Sequence, residues 1–393
     1  MKNNTLLTNT SKESSFFLTP EGGGILLFIA ALAGLVLANS PLAPFYDFVT
    51  QGTLPFGEAG RHETLVDLIS VGPMSLFFMA VVIEIKKEFV SGYLSTFRAA
   101  VLPAISALGG ILVPTLFYLA VSYGNAQAMR GWAIPTATDA AFTLPIVLVL
   151  ARHVSDGARV WLMALAIFDD IVGIAIIAFC YGSSLNFVGL GVALAIIMVM
   201  IGLNRACIQS LWAYSLAGCG LWAALFVSGI HPTIAGVMTG LCLPSYSRVG
   251  EVAPLTKMED VISPWVSCLI MPLFGFVSVG MSLGEMGLHM IFAPVSLAVM
   301  AGLLIGKPLG IFGMTWLAVR LKMASLPADS TLTMMFGLSL LCGIGFTISL
   351  FIANLAFQGA ELLSQARFAI LFSSVIAGVA GYIWLKVTDP YAH

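Results

Sequence analysis

The sequence predicts an all-α polytopic membrane protein, and three observations carry that class. Only 36 of its 393 residues are charged, 17 basic and 19 acidic. That is 9% of the chain, against about 25% in soluble domains. Hydrophobic residues make up 59% before the 39 glycines are counted. The apolar residues also come in long runs: 99–129, 171–204, 206–247 and 330–360 contain no Asp, Glu, Lys or Arg. So few charges cannot cover the surface of a soluble protein of this size. Soluble enzymes, disordered chains and nucleic-acid binders are thereby excluded, and a net charge of −2 offers no basic patch. Only helices and closed barrels satisfy their backbones inside lipid, and a barrel would alternate polar and apolar residues.

The elements follow in chain order. Residues 1–21 read as a polar cytoplasmic tail and not a cleaved signal, because the first apolar run starts only near Gly22. About 20 residues span the hydrocarbon core as a helix. That length predicts about twelve spans, near 22–39, 65–85, 99–121, 131–150, 158–181, 186–204, 211–226, 229–243, 262–281, 292–318, 333–357 and 366–386. The seventh and eighth are short. Segment 40–64 holds β-formers broken by Gly and Pro, which predicts an external loop or small β-hairpin. Segment 244–261 reads as a cytoplasmic linker. The six cysteines form no C-x-x-C pair, and no P-loop, dinucleotide fingerprint or zinc motif appears. Residues 1–393 therefore read as a single integral membrane domain.

Basic residues set the expected orientation. With the N-terminus in the cytoplasm, thirteen Lys and Arg fall on the cytoplasmic side, from Lys2 through Lys86, Lys87 and Arg205 to Lys386. Three fall outside: Arg61, Arg130 and Arg367. This is the bias of the positive-inside rule. Lys307 belongs to neither side.

Four ionisable residues sit near the middle of apolar spans: Asp139, Asp169, Asp170 and Lys307. Each costs about 2.5–3.5 kcal/mol at a lipid-facing helix centre, so the four together cost on the order of 10–14 kcal/mol. They must face the interior, pair, or meet water and ions. A structural ion pair between Lys307 and one aspartate leaves two carboxylates over. Three acids against one base is the balance of a site that binds a cation or carries protons, since both compete for the same oxygens. Asp169 and Asp170 are successive helix positions, about 100° apart. One is expected to face the cation and the other a different helix, such as that of Lys307.

Two spans are also interrupted. GWAIPTATDAAFTLPIVLVL places Pro135 and Thr138 before Asp139, and MMFGLSLLCGIGFTISLFIANL places Gly343 and Gly345 at mid-depth. The first is the middle of spans 3–5 and the second the middle of spans 10–12, triplets that run in opposite directions. Interruptions in matching positions of inverted repeats mark the binding sites of many secondary transporters.

The strings GWAIPTATDAAF, LMALAIFDDIVG, SGIHPTIAGV, GLLIGKPLGI and LLCGIGFTISLFIA resemble the NhaA family of bacterial sodium/proton antiporters over nearly the whole chain. That family is itself a known case of the inverted-repeat pattern, so the two arguments are not independent. The resemblance implies that the fourth and eleventh helices unwind and cross at mid-membrane. It implies that Asp169 and Asp170 bind the transported Na+ or Li+ and carry the protons. Thr138 and Asp139 then lie on the unwound fourth helix, and Lys307 pairs with Asp169. It places partial positive helix ends near Asp139 and partial negative ends near Lys307. It implies electrogenic exchange by alternating access, with no cofactor, in the bacterial inner membrane with both termini cytoplasmic. It further implies a pH-responsive cytoplasmic cluster of Glu84, Lys86, Lys87, Glu88 and Glu259, with His231 a further candidate. Asp260 and Ser263 stand where better-known members carry histidines. Loop 40–64 matches the family's external hairpin, which implies a homodimer.

Other classes use the same charges less well. An intramembrane aspartyl protease would carry G-x-G-D and a prenyltransferase D-D-x-x-D, where this chain reads DDIVG. A proton-coupled solute symporter would need donors for an organic substrate, and a channel a filter-like loop.

Overall fold

The computed structural model describes residues 20–52, 64–182, 185–247, 252–281, 290–357 and 359–388, and every regular element among them is helical. Helix α1 (Pro20–Ala38) is followed by α2 (Ala43–Gln51), bent away from it by 118°. Helices α3 (Leu65–Val71) and α4 (Pro73–Ser91) form the second span, which opens on a capping box between Thr64 and Asp67. Then come α5 (Phe97–Val121), the short α6 (Ala126–Met129), α7 (Ala140–Val149), α8 (Asp156–Cys180), α9 (Phe187–Arg205), α10 (Leu211–Ser228) and α11 (Ile234–Cys242). Helices α12 (Pro254–Trp265) and α13 (Met271–Val279) are joined through a π-helical turn, as are α14 (Pro294–Met300) and α15 (Lys307–Arg320). Helices α16 (Leu332–Leu341), α17 (Phe346–Ala356) and α18 (Ala360–Val387) complete the order.

Eight of these runs are long and apolar enough to cross a membrane unbroken, and three more pass as pairs bent at a short break. They fall where the sequence places spans. The eighth span differs, because α11 has only nine residues. Hydrogen bonds nevertheless fix both of its ends. Asn186 N–H at the start of α9 donates to Ser228 O at 2.9 Å. Asn204 Nδ2 near the end of α9 donates to Cys242 O at 2.7 Å. The chain from 229 to 242 thus travels the length of α9, roughly 28 Å for a helix of its length. Nine helical residues cover about 14 Å of that path, and residues 229–233 lead into the helix through turns. The eighth segment therefore crosses, with its first third outside the helix.

Two expected loops are corrected. No β-hairpin forms in the described part of 40–64: residues 43–51 are helical, and 53–63 lie outside the described residues. Pro44 opens α2 where a missing N–H costs nothing. Tyr46, a β-former by composition, packs edge-on against Phe276 and donates its hydroxyl to Phe276 O at 2.7 Å. The linker expected over 244–261 ends at 253, because α12 starts at Pro254. The tail expected over 1–21 lies outside the described residues as far as 19.

At the centre, α5 and α15 run antiparallel along their lengths. A Cβ on Gly109 would lie 2.1 Å from Gly310 O, and one on Gly310 2.1 Å from Gly109 O. The two backbones touch, as small residues permit in membrane helices. Large apolar side chains such as Phe28, Phe179 and Val375 stay exposed around the bundle, where lipid and not water is the solvent.

Candidate functional site

Two bent helices meet at the core. The α6–α7 span is interrupted by a 3-10 turn at Ile134–Thr136 and an extended stretch, with a 40° bend. The α16–α17 span breaks at 342–345 with a 46° bend. Asp139 N–H donates to Ile344 O at 2.7 Å, so the two breaks are tied backbone to backbone. Ser349 Oγ donates to Ile134 O at 2.7 Å across the same crossing.

One carboxylate caps both half-helices. Asp139 Oδ1 accepts Ala141 N–H at 3.0 Å and Phe142 N–H at 3.4 Å, at the start of α7. Its Oδ2 accepts Thr347 N–H at 2.7 Å and the Thr347 hydroxyl at 2.6 Å, at the start of α17. The first N–H groups of a helix have no partner within it, and their aligned dipoles attract an anion. The expected placement of positive helix ends near Asp139 is what the structure has. The complementary carbonyls face the lysine: Lys307 Nζ donates to Thr136 O at the end of the 3-10 turn.

Lys307 Nζ also lies 2.9 Å from Asp169 Oδ2, with both side chains fully buried. The π-helical turn over 301–306 directly precedes Lys307. Such turns recur at functional sites because the extra residue changes where the following side chain points. Thr138 Oγ1 donates to the same Asp169 oxygen at 2.6 Å and also to Cys342 O at 3.3 Å. Asp169 Oδ1 and Asp170 Oδ1 are buried and accept no hydrogen bond from the described residues. Burying a carboxylate oxygen without a donor is costly, and a cation or proton relieves that cost.

The two adjacent aspartates face different ways, as their 100° separation requires. Asp169 turns toward Lys307. Asp170 lines a cavity of about 400 Å³ together with Asp139 and Thr347. Glu84, Glu259 and Arg159 also line it. The cavity thus runs from the charged end of α4 and α12 to the crossing. Away from it, Tyr118, Ile134 and Phe357 are buried around Gly131, and Tyr118 OH donates to Ala128 O at 2.7 Å.

Of the expected pH cluster, Glu84, Lys87, Glu88 and Glu259 stay within charge–charge reach of one another, and Lys86 turns away. Lys87 and Glu259 form a 2.9 Å salt bridge. Lys86 instead donates to Leu241 O at 2.5 Å and Leu243 O at 2.6 Å, closing the end of α11. Glu88 accepts Tyr93 N–H at 2.9 Å. His231 is not brought to the cluster: it precedes α11, at the opposite end of that segment from Lys86. There its Nδ1 pairs with Thr233 Oγ1 at 2.7 Å, and its ring stands edge-on to Phe351.

Pro135 packs over Gly302, and Gly345 leaves room beside Leu303 and Ser349. Neither Gly343 nor Gly345 has a positive φ, so closeness and not backbone freedom is what they supply. Sequence reasoning missed Thr347 and Ser349. The signal was available: hydroxyl residues in the first turn after a mid-span break face unpaired N–H groups or a neighbouring carbonyl.

Two half-helices crossed in opposite senses, with buried carboxylates and a lysine at the crossing and a cavity leading to them, define a secondary cation transporter. The comparisons with known proteins give the family. The description Na+/H+ antiporter 1 fits residues 14–385. The chain is 55% identical to the Na(+)/H(+) antiporter NhaA of Zymomonas mobilis over 94% of this chain and 96% of that one. It is 50% identical to that of Gluconobacter oxydans, over 94% and 92% of the two chains. It is 41% identical to that of Escherichia coli O1:K1 / APEC, over 95% and 97%. The chain belongs to the NhaA family of sodium/proton antiporters, as the resemblance in its motifs implies.

Proposed function

We propose that the chain exports sodium, and lithium as its smaller analogue, in exchange for protons, with Asp170 and Asp169 as the ion-binding pair. The observation that carries this reading is the pair of buried carboxylate oxygens, one on each aspartate, that accept no hydrogen bond. A cation reaching the bottom of the cavity meets Asp170 first. Its coordination draws on Asp169 and Thr138, whose hydroxyl already touches Asp169. A proton held on either aspartate must leave for the cation to bind. When the cation has left, one proton returns to Asp170 and one to the Asp169–Lys307 pair, where it sits on the lysine and the ion pair re-forms.

Two protons, one from Asp170 and one from the Asp169–Lys307 pair, leave against one monovalent cation, which makes the cycle electrogenic. Access alternates: the cavity of the open state closes and the packed side opens in its place. Glu84 and Glu259 line the entrance, and with Lys87 they support regulation by pH at that mouth. The excess of basic residues at this end supports a cytoplasmic mouth and cytoplasmic termini in a bacterial inner membrane. The working form is a homodimer in that membrane.

The test uses purified protein in proteoliposomes under an imposed pH gradient. Addition of sodium or lithium is expected to move protons. No cation-dependent proton movement between pH 6 and 9 would sink the proposal.

A further inference from the structure

Asp139 lines the same cavity as Asp170, yet its oxygens are differently engaged. A carboxylate has about four acceptor positions. Asp139 fills them with Ala141 N–H, Phe142 N–H, Thr347 N–H and the Thr347 hydroxyl. Three of these donors are backbone groups fixed by the starts of α7 and α17. They cannot leave without unwinding a helix. The hydroxyl is the one donor that a single side-chain rotation removes.

We propose that Thr347 is a positioning residue that keeps Asp139 out of the cation's coordination shell, and so sets the cation preference of the site. This inference rests on the proposed binding of the cation at Asp170. With the hydroxyl in place, the end of the cavity at the crossing offers a cation one open carboxylate, Asp170, while Asp139 serves the two helix starts. Without it, an Oδ2 position of Asp139 opens toward the cavity, and the cation gains a second carboxylate from that wall. The gain is larger for lithium than for sodium, because the smaller ion holds its ligands at shorter range. The tighter complex is also slower to release its ion, since binding the resting complex more strongly does not speed transport. Asp169 is not the added ligand, because it does not line this cavity and the substitution leaves its contacts with Lys307 and Thr138 as they are. Glu84 and Glu259 line the cavity but belong to α4 and α12, at its charged end.

The experiment measures cation-driven proton flux in proteoliposomes for the native chain and for Thr347→Val, Thr347→Ser, Asp139→Asn and the double variant Thr347→Val with Asp139→Asn. Valine keeps the shape of threonine and removes the donor. Thr347→Val is expected to lower the apparent KM for lithium at least 5-fold, and to lower it at least 3-fold more than the KM for sodium, with reduced turnover. Thr347→Ser restores the native ratio. In the Asp139→Asn background the valine effect on the ratio disappears, because the added ligand is gone. An unchanged lithium-to-sodium ratio in Thr347→Val overturns the proposal, and so does an equal change of ratio in the Asp139→Asn background. Native protein that shows no cation-driven flux at all fails the proposed exchange itself, a separate outcome visible before any substitution is made.

Discussion

The ammonium of Lys307 sits 2.9 Å from Asp169 Oδ2, and neither side chain is exposed. The pair joins α15 to α8, while Thr136 O and Thr138 Oγ1 bring the broken α6–α7 span to the same two groups. Removing one partner of such a pair strands the other, whereas removing both leaves only a shape to fill. Lys307→Ala is therefore predicted to destabilise the protein by about 3–5 kcal/mol. Lys307→Ala combined with Asp169→Asn is predicted to recover part of that loss. Thermal melting in detergent decides it, and equal melting of the single and double variants would argue against the pairing.

Among the described residues Asp170 forms no such ion pair, and its Oδ1 accepts no hydrogen bond. Asp170→Asn keeps the size of the side chain and removes the charge that faces the cavity. It is predicted to abolish sodium-driven proton flux while melting within a few degrees of the native chain. Retained flux would remove Asp170 from the ion site.

Thr138 offers one hydroxyl to two acceptors, Asp169 Oδ2 and Cys342 O. Thr138→Val removes it with little change of volume. A hydrogen bond to a charged group contributes about 1.5–3 kcal/mol. The apparent KM for sodium is predicted to rise roughly tenfold or more, with Thr138→Ser close to native. Flux titrations against sodium measure it, and an unaltered KM in the valine variant would exclude Thr138 from the site.

Gly310 has no space for a side chain, since its Cβ would lie 2.1 Å from the Gly109 carbonyl oxygen. A backbone atom cannot rotate away as a flexible side-chain end can. Gly310→Ala is predicted to push α15 from α5 at a cost of about 1–3 kcal/mol, and to disturb Lys307 three positions away. Lower melting together with reduced flux is the expected pattern. Native melting with native flux would mean the contact is looser than this.

The Lys87–Glu259 bridge is a contrasting case. Its side chains are 47% and 22% exposed, and pairs of that kind contribute about 0.2–1 kcal/mol, less at high salt. Lys87→Ala is predicted to leave melting nearly unchanged and to alter the pH dependence of flux if this mouth regulates access. A pH profile that overlays the native one would separate Lys87 from regulation.

Much of the site was legible because the membrane makes charge conspicuous. Asp139, Asp169, Asp170 and Lys307 stand out of apolar spans by composition alone, and Pro135 and Gly345 mark the breaks. The rest depended on three-dimensional neighbours. Lys86 looks in sequence like a member of a charged cluster, but it reaches carbonyls of α11, more than 150 residues away along the chain. Residues 43–51 carry β-formers, yet they fold as a helix because Pro44 starts one and Phe276 covers Tyr46. The eighth span lies where the sequence places it, at 229–243, but only its last nine or so residues are helical, which hydropathy does not reveal. Thr347 was hidden because threonine in a membrane helix is ordinarily unremarked, and only the opposing Asp139 gives it a task.

The one-sided cavity has an electrical consequence. Water in it carries the potential of one compartment down to Asp170, while Tyr118, Ile134 and Phe357 pack the other side. The membrane voltage then falls mainly across that packed layer, and not evenly over the whole bilayer thickness. In the proposed cycle, an ion bound at Asp170 has felt little of the field on arrival and meets most of it in the step that exchanges one opening for the other. Each elementary charge that crosses gains or loses about 2.3 kcal/mol per 100 mV. On that proposal, voltage acts on the conformational change more than on ion binding, and the thickness of a few packed side chains decides how steeply.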